Sequence, residues 1–155
     1  MKVCFIGGGN IAQAIIEGML KANFPPKEII CVERNQEKIA LLQDKEIEVK
    51  SLACLSEDAF DLIVLAVKPK DALAVANDIK DLAPNVSILT VVAGIGIAKY
   101  PDSDAIIRSM PNTASAFNKG ITALYAEDKN TPAFKNACEL FEMVGNIMIM
   151  ENEDD

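Results

Sequence analysis

Gly7, Gly9 and Ala12 satisfy the spacing Gly-x-Gly-x-x-Gly/Ala, pressed between a short apolar run, Met1–Ile6, and a segment of helical periodicity. Glycines make many tight turns, so the spacing alone says little. Between a strand and a helix it has a physical use. The first glycine permits the turn, the second lets backbone approach a pyrophosphate, and a small third residue lets helix and strand pack closely. The N–H groups of Gly9, Asn10 and Ile11 would then meet phosphate oxygens at the positive end of the helix. The chemistry implied is the holding of a dinucleotide.

A second group, Glu33-Arg34-Asn35, follows the next apolar run, where the adenosine ribose of such a ligand should lie. A carboxylate there accepts hydrogen bonds from the ribose hydroxyls and favours NAD. Arg34 would instead pair with a 2′-phosphate and favour NADP. Glu33 and Arg34 point in opposite directions, and a surface ion pair of small energetic value is the bland third reading. On this view Glu33→Gln should relieve repulsion and favour NADPH.

The chain has no histidine. That removes Ser-His-Asp and Cys-His catalysis and every His-ligated metal site, so no metal is expected. Cys4, Cys31, Cys54 and Cys138 lie far apart, with no Cys-x-x-Cys pair, and read as reduced, mostly buried thiols of a cytoplasmic protein. The net charge of −8 argues against nucleic acid or an anionic membrane as partner. Part of it is the cluster Glu151-Asn152-Glu153-Asp154-Asp155, which reads as a solvated end. The longest apolar run, Ile88 to Ala98, is interrupted and falls short of the roughly 18 residues of a membrane span. With few aromatics and no Trp, the core is expected to be Ile, Leu, Val and Ala. The opening strand is not expected to be a signal peptide.

Elements alternate to position these groups. Ile11, Ile15, Met19 and Ala22 predict a helix that ends at Pro25-Pro26. Strands are expected at 28–33, 47–49, 61–67, 86–92, 106–110, 121–126 and 146–150. Asn35 is expected to cap a helix through Leu42, with a short helix or turn at 56–60. Pro69 should open a helix to about Leu82, and Pro132 another to Val144. Mostly continuous apolar strands alternating with helices predict one α/β domain over 1–155 with a doubly wound, mostly parallel sheet of the Rossmann type.

Four segments occur in order: GGGNIA at 7–12, AVKP at 66–69, VAG at 92–94 and MPNT at 110–113. Together they resemble the N-terminal cofactor domain of the pyrroline-5-carboxylate reductase family, over essentially the whole chain. The resemblance implies that Ala66, Val67, Lys68 and Pro69, with Ala93 and Gly94, line the cofactor groove. It places Asn112 and Thr113 near the nicotinamide and Arg34 on the adenosine phosphate, with NADPH favoured and NAD possible. Ile11 stands where the family often has Met, and Ala114 where Pro commonly follows MPNT. The implied reaction is hydride transfer from NAD(P)H to the C=N carbon of (S)-1-pyrroline-5-carboxylate, giving L-proline. An already electrophilic protonated imine needs no histidine acid, and no residue here is assigned a catalytic role. Family members continue into a helical domain with an SGSGPAY-like segment that forms the dimer and captures the small-molecule substrate. A homo-oligomer is therefore expected only where that domain is present, and the chain alone is expected to be inactive. Another NAD(P)-dependent oxidoreductase, of the coenzyme-F420:NADP or β-hydroxyacid type, and a non-catalytic nucleotide-binding module are the alternatives.

Overall fold

The structure is a computed structural model that describes residues 1–154, so Asp155 of the acidic cluster lies outside the described residues. In chain order the elements are β1 (Val3–Ile6), α1 (Asn10–Lys21), β2 (Ile29–Val32), α2 (Gln36–Asp44), β3 (Glu48–Lys50), α3 (Cys54–Glu57) and β4 (Leu62–Leu65). There follow α4 (Pro69–Leu82), β5 (Ile88–Thr90), β6 (Ile106–Met110), β7 (Gly120–Tyr125), α5 (Pro132–Met143) and β8 (Gly145–Ile149). The eight strands form one sheet in the order β3-β2-β1-β4-β5-β6-β7-β8. All neighbours pair in parallel except β6 and β7. Residues 111–119, which join those two, are too few for the crossover that a parallel pair requires.

Strand alternation divides the core between the two sheet faces. Val3, Phe5, Ile29, Cys31, Leu62, Val64 and Leu89 point to the face covered by α1 and α5. Cys4, Ile6, Ile30, Ile63, Leu65 and Ile88 point to the face covered by α3 and α4. Burial on both sides is why these strands read as unbroken apolar runs. Phe5 and Phe141 are among the largest fully buried side chains, so the core is not aliphatic alone. The four cysteines are free thiols, as expected, with Cys138 only partly buried.

Helix α1 stops at Lys21, before the two prolines, because Asn23 turns the chain into the left-handed region at φ 67°. Its middle is held by a contact that no local pattern announces. A Cβ on Gly18 would collide with the carbonyl oxygen of Ser115, in the 3-10 turn Thr113–Phe117. Asn118 Nδ2 donates to the carbonyls of Gly18 (2.8 Å) and Met143 (2.9 Å), tying that turn to α1 and α5. The helix that starts at the glycine loop is thereby locked to the segment that follows Met110-Pro111-Asn112. Among the described residues no helix is long and apolar enough to cross a membrane.

Candidate functional site: a dinucleotide cleft

The strand order reverses direction at β1 and β4, and in such sheets ligands gather beyond the carboxyl ends of the strands at that point. A cleft of about 990 Å³ lies there. Gly7, Gly9, Asn10, Ile11, Arg34, Ala66, Val67 and Lys68 all line it, so eight of the residues singled out in the sequence meet around one space. A depression of about 530 Å³ at Met1, Phe24, Glu139, Glu142 and Met143 lies off the amino end of β1, away from the glycine loop.

The loop is shaped by its glycines in two different ways. Gly7 sits at φ 102°, and a Cβ there would stand 2.5 Å from the carbonyl oxygen of Ala66. This glycine lets β1 turn against the end of β4. At Gly9 a Cβ would meet nothing within 4 Å. Its missing side chain clears space on the cleft side rather than inside the protein. Gly9 precedes α1, which has no side-chain cap and no acidic residue in its first turn. The first N–H groups of this 12-residue helix are therefore available to an anion, in the positive field of the helix end.

Four cations surround the same space: Arg34, Lys38, Lys68 and Lys70. Among the described residues none of them forms a salt bridge. Lys38 and Lys70 stand in the first turns of α2 and α4, and Lys68 caps α4. Cations are disfavoured by the dipole at a helix start. Their gathering at two such ends, in a chain of net charge −8, suits a ligand carrying several phosphates. Asp71 and Asp78 on α4 temper this charge on the far wall. Lys38 and Lys70 were not singled out in the sequence; a cation in the first helical turn was the signal available.

Glu33 has a structural role beside the one its position suggests. Its Oε1 accepts from the backbone N–H of Gly8 at 2.7 Å, and its Oε2 from Arg34 and Asn35 N–H at 3.0 Å each. Burial works to raise this carboxyl, but those backbone donors, Asn35 first, and the charge of Lys38 outweigh it, so its pKa is lowered. The carboxylate pins the glycine loop to the end of β2. Beneath it the Cys31 thiol donates to the Gly7 carbonyl at 3.7 Å, and burial followed by the Glu33 charge pushes that thiol up to about 12. It is an unreactive structural thiol.

This geometry reverses the expectation for Glu33→Gln. Glutamine has one acceptor oxygen for three N–H donors and would turn an amide donor toward backbone N–H. The expected result is weaker binding of NADPH and NADH alike. A lowered folded pKa also means that the carboxylate stabilises the fold above the ordinary glutamate value of about 4.3 and loses this as pH falls through the lowered value. Thermal unfolding between pH 2 and 7 should show a flatter acid limb for the variant; an unchanged limb would remove the pin.

The other predicted residues lie outside this cleft wall. Asn35 Oδ1 accepts from Lys38 N–H at 3.0 Å and caps α2. Pro69 occupies the first position of α4, where its fixed φ starts the helix. Ala93 and Gly94 are exposed beyond β5. Asn112 Oδ1 accepts from Ile121 N–H at 3.3 Å and braces the β6–β7 turn, beside the exposed Thr113. These last four stand on the β5–β6 side, beyond β4 from the glycine loop.

Strand order, glycine loop and cleft define a dinucleotide-binding domain of the Rossmann type. Residues 2–94 match the family described as NADP oxidoreductase, coenzyme F420-dependent. The pyrroline-5-carboxylate reductase of Pasteurella multocida is 32% identical over 165 residues, covering 99% of this chain and 60% of that protein. That of Mycobacterium tuberculosis is 34% identical over 161 residues, covering 95% of this chain and 54% of that protein. The structure of a pyrroline-5-carboxylate reductase from Coxiella burnetii aligns with a TM-score of 0.87 at 27% identity, over 99% of this chain and 60% of that one. The chain belongs to the pyrroline-5-carboxylate reductase family, as an N-terminal NAD(P)-binding domain. It spans between half and two thirds of the length of these relatives.

Proposed function

We propose that the chain is the cofactor-binding half of a pyrroline-5-carboxylate reductase and that it holds NADPH in preference to NADH. The observation that carries the cofactor preference is the set of four cations that line the cleft, none of them in a salt bridge among the described residues. Bound NADPH would supply the hydride for reduction of the cyclic imine to L-proline. The protein's own work is to grip phosphate on the α1 N-terminus and to admit the ligand backbone at Gly9. Arg34 provides a charge-assisted partner for the 2′-phosphate. Glu33, committed to three backbone N–H groups, is a weaker competitor for the ribose than its position alone suggests. Substrate capture belongs to residues outside this cleft.

Arg34→Ala is expected to weaken NADPH by about 1.5–3 kcal/mol, the value of a hydrogen bond to a charged group, while changing NADH little. Titration calorimetry with both cofactors reads this directly. An equal loss for the two would show that Arg34 does not read the phosphate.

The matched family's description favours one other reading, electron exchange between NADP and coenzyme F420. Turnover separates the two when the chain is assayed together with the remainder that its longer relatives carry. The expected result is NADPH oxidation dependent on the imine. Oxidation dependent on F420 or a hydroxyacid, with none on the imine, would refute the first reading.

A further inference from the structure

We propose that Glu153 is a positioning residue for the nicotinamide side of the cleft, acting through the turn at residues 92–97; this rests on the cofactor-binding reading above. The sequence places Glu153 in an acidic, solvated end, and the structure does not. Its side chain is only 25% exposed. One carboxylate oxygen, Oε2, accepts from the backbone N–H of Ile97 at 2.7 Å and lies 3.3 Å from Arg108 Nη1. The other, Oε1, would stand 3.4 Å from a Cβ on Gly96, so the carboxylate sits against bare backbone. Arg108 is on β6, its side chain 19% exposed and its Nε buried without a partner, so Glu153 is its one salt-bridge partner among the described residues.

The turn so held is anchored at its other end by a buried network. Thr90 Oγ1 accepts from Val92 N–H at 3.1 Å and is hydrogen-bonded to Tyr100 Oη at 2.9 Å. Ser109 Oγ donates to the Thr90 carbonyl at 2.9 Å, joining β5 to β6. Between these anchors Ala93 and Gly94 are exposed, with Gly94 at φ 81°. Val91 N–H donates to the Leu65 carbonyl at 3.0 Å, which sets this turn beside the end of β4. It thus borders the second half of the doubly wound sheet, where the non-adenosine half of a dinucleotide lies. Thr90 holds the start of the turn from inside the core, and Glu153 holds its end from a segment more than fifty residues away.

The test compares NADPH with 2′,5′-ADP, which carries only the adenosine half, on the full chain and on Glu153→Ala and Glu153→Gln. Glu153→Ala is expected to weaken NADPH about tenfold, the value of one charge-assisted hydrogen bond, and to leave 2′,5′-ADP unchanged. Glu153→Gln, which keeps an acceptor for Ile97 N–H, should recover part of the loss. Equal weakening of both ligands, as a merely structural role would give, overturns the proposal, and so does an unchanged affinity for NADPH. If the parent chain binds neither ligand, the cofactor reading fails and this proposal fails with it.

Discussion

Gly9→Ala should fold as well as the parent chain and yet lose dinucleotide binding by about a hundredfold or more. The backbone at Gly9 has φ −75° and ψ −168°, a region open to any residue, and the added methyl meets no protein atom within 4 Å. Stability should therefore stay within about 0.5 kcal/mol, as for an ordinary surface substitution. The methyl would occupy the space through which a pyrophosphate approaches the first turn of α1. Losing two charge-assisted hydrogen bonds there, at about 1.5–3 kcal/mol each, gives the expected drop. Thermal unfolding and calorimetry on the same sample read both halves. Unchanged affinity would show that the loop makes a turn and nothing more.

Gly7→Ala should do the reverse and damage the fold first. At φ 102° an alanine is strained, at a cost of about 1–3 kcal/mol. Its Cβ would also press to 2.5 Å from Ala66 O and 2.9 Å from Ala66 C, both backbone atoms, adding an overpacking cost of about 1–3 kcal/mol. Against the 5–15 kcal/mol of a typical domain that is a large fraction. The urea midpoint should fall well below that of the parent. A midpoint unmoved by Gly7→Ala would contradict the geometry drawn for β1 and β4. Two glycines two residues apart are thus expected to serve opposite ends, one the fold and one the ligand.

The elements easiest to read were those bounded by a residue with a fixed backbone. Pro69 opens α4, Pro132 opens α5, and β6 stops before Pro111, each where expected. The antiparallel turn into β7 was also within reach, since residues 111–119 are too few for a crossover. Other features were set by partners distant in sequence. The 3-10 turn Thr113–Phe117 packs on Gly18, nearly a hundred residues earlier, and no local pattern marks it. Glu153 looked like a solvated carboxylate because its partners, Ile97 and Arg108, lie on other elements. Glu33 lines the cleft, and its carboxylate also carries a task that its position in the sequence does not reveal. A sequence gives its distance from the glycines, but only the fold turns its carboxylate onto Gly8 N–H.

The glycine loop and its surrounding cations are proposed to hold NADP(H). Titration calorimetry of the chain with NADPH and with NADH tests this most directly. Saturable binding of both, tighter for NADPH, is the predicted result. No binding of either at millimolar concentration would contradict it.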